Sequence, residues 1–237
     1  MAATDAGRSA EWGVGSTIST AGSILFSHFT AFVGTALVAS LPSLIFSLAA
    51  PDSYIQSIVD LIVGQIVAVT LIYGSIQVLR GRQVSISECF SQGFARLGTA
   101  IGVAILAAIG VAAGMFLLIV PGVILAVMWA VAIPAAVVER AGVIESLSRS
   151  TALTRERRWR VLGAILVAGV ITVVVGAVIG GIFGAVDGTE TPLFTIVLWA
   201  VTAAAQAFSA CVYATLYFFL RREKEGVDIE QIAAVFD

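Results

Sequence analysis

The order of apolar and polar positions divides the chain into six long apolar runs joined by short polar connections. The runs are Phe29–Ala49, Ser57–Leu79, Leu97–Val120, Val123–Val138, Val161–Val186 and Pro192–Leu220. A spanning helix needs about 20 apolar residues, because the hydrocarbon layer is about 30 Å thick and each helical residue rises about 1.5 Å. Lipid offers no partner to a bare peptide group, so each run is predicted to be helical. The period-two alternation that a closed barrel would need is absent. The pattern therefore predicts an all-α integral membrane protein, a bundle of six transmembrane helices. Pro121-Gly122 predicts the turn between the third and fourth spans. Pro42 and Pro134 lie inside spans, where each removes a backbone donor and favours a bend.

The connections that precede spans one, three and five carry a second pattern. Before span three, Phe90, Phe94 and Leu97 recur at helical spacing, and Ser85 with Glu88 has capping-box spacing. Leu25, Phe29 and Phe32 repeat that spacing around the start of span one. Val143, Ile144 and Leu147 lead to Thr151 and Thr154 before span five. Such stretches suit short amphipathic helices lying in the headgroup plane. The unit of amphipathic helix, span, tight turn and span then occurs three times. This predicts a threefold parallel internal repeat with its amphipathic helices on one side of the membrane.

Charge fixes which side. With six spans, all 13 Lys and Arg residues fall on the face shared by both termini, and the opposite face carries only acidic residues such as Asp52, Asp60, Asp187 and Glu190. Basic loop residues are retained in the cytoplasm during insertion, so both termini are predicted to be cytoplasmic in the inner (plasma) membrane. Composition agrees: 59% of residues are hydrophobic and 12% charged, against about 45–50% and about 25% for soluble domains. The expected organisation is a flexible cytoplasmic N-terminus over residues 1–15, a membrane domain over 16–220, and a cytoplasmic tail over 221–237 that includes a short helix. No cleavable signal peptide is expected. No basic segment is free of acidic residues in the manner of a nucleic-acid surface.

Little in the chain suggests chemistry. The single histidine, His28, has no companion ligand, and Cys89 and Cys211 are isolated. No catalytic residue, metal site or cofactor is expected. Asp60 is placed at the outer interface, and Gln65, Gln77 and Gln206 are read as interhelical hydrogen-bonding groups. Gly110, Gly114, Gly176, Gly180 and Gly184 have the small-residue spacing that lets helices approach closely. Arg149, Arg155, Arg157, Arg158, Trp159 and Arg160 form the densest basic cluster, placed to bind anionic headgroups or a partner protein. Aromatic residues Tyr213, Tyr217, Phe218 and Phe219 before Arg221 and Arg222 mark the interfacial end of the last span.

Pro121-Gly122, Pro134, Glu139, Glu145-Ser-Leu-Ser-Arg-Ser150, Leu153-Thr154 and Arg157-Arg158-Trp159-Arg160, with the ending Leu216 to Asp228, resemble a broad group of multi-pass bacterial and archaeal proteins. That group includes the membrane domain attached to some glycerophosphoryl diester phosphodiesterases. The resemblance implies a membrane bundle without the soluble hydrolytic domain, whose metal ligands have no counterpart here. The expected role is a non-enzymatic scaffold or accessory subunit that organises membrane lipids or other membrane proteins. A transporter or lipid-translocating protein is the alternative, and it predicts a polar cavity lined by Gln65 or Gln206.

Overall fold

The computed structural model describes residues 12–49, 54–82, 85–186 and 191–225. These are almost entirely helical, with no strand among the described residues. The order is α1 (Val14–Ser27), α2 (Phe29–Ala49), α3 (Tyr54–Leu79), α4 (Ile86–Leu117), α5 (Ile119–Met128), α6 (Ala132–Glu139), α7 (Val143–Thr154), α8 (Arg158–Val186) and α9 (Pro192–Glu225). Six stretches are long and apolar enough to cross a membrane, α5 and α6 together supplying one of them. The chain is a multi-pass helical membrane protein. The expected tail helix lies outside the described residues.

The predicted unit of a short helix followed by two spans is seen in α1–α3 and in α7–α9, and the second unit, α4–α6, differs from it in three ways. The first concerns the stretch before span three, which is not a separate helix. Ser85 caps it as expected, accepting from the Glu88 N–H at 3.5 Å, but nothing stops the helix before Leu117. The buried face is also not the phenylalanine face. Cys89 and Gly93 turn inward, while Phe94 is exposed. A Cβ on Gly93 would stand 2.7 Å from the Thr70 hydroxyl, so this smallest of residues is what lets α4 cross close over α3.

The second difference is the turn between α4 and α5. Pro121-Gly122 does not make it. Leu118 alone is extended, with φ −162° and ψ 145°, and Pro121 lies in the first turn of α5. A proline there gives up an N–H that the helix start would leave unpaired anyway. The resulting hairpin is tight: a Cβ on Gly114 would meet Gly122 Cα at 2.9 Å, and one on Gly122 would meet the Met115 backbone nitrogen at 2.7 Å.

The third difference is one of degree: the bend that Pro134 predicts in the fourth span is a full break. Trp129, Ala130 and Val131 form turns between α5 and α6. Pro134 sits past the break, inside α6.

The main core is built by α3 and α9, which pack on each other and receive α1 and α2 on their flank. Its largest buried side chains include Phe32, Val67, Leu216, Tyr217 and Leu220. Small residues on α9 (Ala203, Ala207, Ala210, Ala214) allow the close approach. Trp199 Nε1 donates to the Ser40 carbonyl at 3.0 Å, tying α9 to α2 two residues before Pro42. Helix α8 is different. Val161, Ala164 and Ala168 near its start are buried, whereas Val170, Val173, Val174, Val178 and Ile182 further along are all exposed. In lipid that surface is solvated by acyl chains, so it carries no penalty.

Candidate functional site at the basic end of the bundle

The break in the fourth span creates a local problem that α7 solves. In an unbroken helix the Met128 carbonyl would accept from the Ala132 N–H, but that N–H turns to the Trp129 carbonyl at 3.1 Å. The Ser150 hydroxyl takes over both orphaned groups. It donates to the Met128 carbonyl at 2.7 Å and accepts from the Val131 N–H at 3.2 Å. The Thr154 hydroxyl, also buried, lies 3.3 Å from the same carbonyl and 2.9 Å from the Ser150 carbonyl. Non-helical backbone at membrane depth is tolerated where protein groups satisfy it, and these two side chains do so here.

Next to this clasp, three elements meet through an ionic network. The Glu139 carboxylate at the end of α6 accepts from Arg149 Nε at 2.8 and 2.9 Å, and from the Tyr217 hydroxyl at 2.7 Å. Arg149 also reaches Glu225, which in turn accepts from Arg221 Nε at 2.8 Å. Arg221 donates to the Tyr217 oxygen at 3.3 Å and closes the circuit. Burial works against the Arg149 charge, but the hydrogen bonds it donates to Glu225 and Glu139 outweigh it and hold the guanidinium above its ordinary range. The Arg149 and Glu139 side chains are 30% and 20% exposed, so solvent screens the pair. Replacing Glu139 with glutamine is expected to cost about 1 kcal/mol. A lowered thermal midpoint of the purified protein is the readout, with Arg149 still held by Glu225.

A second network joins the start of the chain to the end of α9. Trp12 is buried, stacks on Phe219 with centroids 6.1 Å apart, and donates from Nε1 to Glu223 at 2.7 Å. Arg157 Nε donates to the other Glu223 oxygen at 2.8 Å. The Arg160 guanidinium lies 5.9 Å from the centroid of the Trp12 ring and donates to the Trp12 carbonyl at 3.2 Å. A residue that the sequence places in a flexible N-terminal segment is thus a structural anchor.

The six residues of the expected headgroup-binding cluster therefore divide. Arg149, Arg157 and Arg160 turn into these internal networks. Arg155, Arg158 and Trp159 are exposed at the corner between α7 and α8, Trp159 at 85%. The α9 carboxylates that neutralise the inward group, Glu223 and Glu225, went unassigned in the sequence. Their alternation with Arg221, Arg222 and Lys224 is the signal that pointed to them.

The glycines divide in the same way. Gly110 on α4 packs against the Trp129 ring at the break, and Gly114 on α4 packs against Gly122 on α5. Gly176 and Gly180 on α8 have nothing within 4 Å of where a Cβ would stand. Gly184 is among the residues whose side-chain surroundings are not described.

The other candidates are scattered. His28 lies at the junction of α1 and α2 beside Phe32, ring centroids 6.2 Å apart. Asp60 accepts from Gln56 Nε2 at 2.9 and 3.0 Å and from the Ser43 hydroxyl. It lies 19 residues before the end of α3, about 28 Å along the axis and far from Arg80. Cys89 and Cys211 are buried and unpaired with each other, and Cys211 Sγ is 3.5 Å from the Ser75 hydroxyl. Gln77 Nε2 donates to the Tyr73 hydroxyl at 2.8 Å. Gln65 and Gln206 each bury a side-chain oxygen without a hydrogen-bond partner. A cavity between α2, α3 and α4 is lined by Phe32, Thr35, Thr70 and Cys89 among others, and not by either of those glutamines. Among the described residues no three His, Cys, Asp or Glu side chains come together as metal ligands would.

No curated protein and no solved structure matches the chain. One family model, described as a domain of unknown function (DUF7847), matches residues 9–221. That stretch runs from before Trp12 to Arg221 and takes in the broken span, its clasp and most of both networks, so the chain belongs to this DUF7847 family.

Proposed function

We propose that this protein is a non-enzymatic scaffold or accessory subunit of a bacterial plasma membrane, inserted with both termini in the cytoplasm, that organises anionic lipid or partner proteins through its basic end. The observation that carries the reading is the α7–α8 corner. Arg155, Arg158 and Trp159 are exposed side by side there, while neighbouring arginines are spent on internal pairs. A tryptophan this exposed suits the headgroup level, where its ring meets both acyl chains and polar groups. Each outward arginine near an anionic surface adds about 1 kcal/mol.

Replacing both Arg155 and Arg158 with glutamine is expected to weaken association with anionic lipid by about tenfold or more. The measurement is lipid retention by native mass spectrometry, on protein purified in neutral detergent and supplied with phosphatidylglycerol. Unchanged retention in a folded double variant would sink the lipid reading. A stoichiometric protein that co-purifies with the wild-type chain and is lost in the double variant would favour the subunit reading.

A second reading, a transporter or lipid-translocating protein, draws support from the broken span and from the unpartnered oxygens of Gln65 and Gln206. Lipid-scrambling or solute-flux assays in vesicles test it. Transport that depends on Gln65 or Gln206 would favour it over the scaffold.

A further inference from the structure

The turn between α4 and α5 presents five consecutive apolar side chains to its surroundings. Phe116 is 94% exposed and Leu118 70%, and Leu117, Ile119 and Val120 are exposed with them. No charged residue occurs from 97 to 138, and the only polar side-chain groups in that stretch are the Thr99 hydroxyl and the Trp129 indole. The segments that join the other two pairs of spans differ in sequence: one carries Asp52 and Ser53, the other Asp187, Thr189 and Glu190. A contiguous apolar patch of this kind marks contact with lipid or protein rather than with water.

Three observations choose lipid. Length is the first. From Leu97 to Leu117, α4 rises about 31 Å at about 1.5 Å per residue, which uses up a hydrocarbon layer about 30 Å thick. The turn therefore arrives at the far boundary of that layer. Continuity is the second. The exposed residues Ile105, Ile109 and Met115 of α4 lead to the tip with no polar side chain between them, whereas a protein-binding patch carries a polar rim. Backbone accounting is the third. A helix start leaves four N–H groups without a helical acceptor. At α5 the Leu118 N–H returns to the Gly114 carbonyl at 3.0 Å, and Pro121 has no N–H to give. Only those of Ile119 and Val120 remain, few enough for the glycerol-ester carbonyls at the edge of the hydrocarbon to accept them.

We propose that this turn is a lipid-inserted tip, seated among the acyl chains and glycerol esters of the leaflet remote from the basic end, and that it presents no surface to the water beyond. The proposal rests on the chain spanning a membrane and is independent of the scaffold and transporter readings.

The test places a nitroxide spin label on the full chain in phospholipid vesicles. It compares collisions with oxygen, which concentrates in lipid, and with a water-soluble nickel chelate. The labelled variants are Phe116→Cys and Leu118→Cys. Both side chains face outward, so neither change removes a core contact. Ser148→Cys, exposed on α7, is the water-side reference, and Val174→Cys, exposed on α8, is the lipid-side reference. The unsubstituted chain, whose Cys89 and Cys211 are buried, gives the background. The expected result is an excess of oxygen over nickel collisions at both tip positions, as at Val174, with nickel leading at Ser148. Nickel in excess at either tip position overturns the inference, because the turn then stands in water. Little access to both reagents at either position overturns it too, because a second copy or another protein then covers the tip.

Discussion

Valine in place of Gly122 will lower the stability of the bundle by about 3 kcal/mol or more, at the upper end of the overpacking range. The reason is the nature of the atoms met. A Cβ at this position would stand 2.7 Å from the backbone nitrogen of Met115, and backbone inside a helix cannot rotate aside as a side chain can. The two glycines face each other, since a Cβ on Gly114 would meet Gly122 Cα at 2.9 Å. Neither helix can therefore yield without moving the hairpin. Displacement would carry through α5 to the broken span and its clasp. Thermal unfolding in detergent should show a midpoint lower by roughly 6–12 °C, taking about 2–4 °C per kcal/mol for a chain of this size. Gly176→Val on α8 is the matched control, because open space surrounds that position. Its midpoint should stay close to wild type. Equal effects at the two positions would refute the packing account.

Alanine at Ser150 has the next largest expected effect, about 1–3 kcal/mol. Interhelical hydrogen bonds in membrane proteins are often worth less, about 0.6 kcal/mol, because the separated helices find other partners. Two features raise the figure here. One hydroxyl serves two groups, and both are backbone groups freed by the same break. Without it the Val131 N–H has no partner, and the Met128 carbonyl keeps only Thr154 at 3.3 Å. Adding Thr154→Val should remove that remainder and cost more than the sum of the separate changes. The exposed neighbour Ser148 should tolerate alanine within about 0.5 kcal/mol. Hydrogen exchange offers a local check: the amides of Val131 and Ala132 should lose protection in Ser150→Ala while those of α3 keep theirs.

The sequence carried the number and sequence positions of the spans well, because apolar length is a one-dimensional signal set by bilayer thickness. Span one coincides with α2 at Phe29–Ala49. It carried breaks poorly. Pro121-Gly122 has the chemistry of a turn, yet proline is equally at home in a helix's first turn, and the hairpin was settled by the mutual fit of Gly114 and Gly122. The break at Trp129–Val131 has one local signal, Pro134, which leaves the Ala130 carbonyl four residues earlier without a helical donor, but what satisfies the break is not local. It depends on Ser150, 19 residues from Val131. The arginine cluster was legible as a cluster, but not the direction of each side chain. Which arginines turn inward depends on Glu223 and Glu225, 66 residues from Arg157 and 76 from Arg149.

The clasp also has a consequence for how the protein is made. The Met128 carbonyl is synthesised 22 residues before the serine that satisfies it. At about 5–20 residues per second the ribosome takes roughly one to four seconds to supply that hydroxyl. The joint of the second hairpin is therefore left unclasped until the helix leading into the third hairpin packs beside it, so the final packing of these two hairpins is coupled.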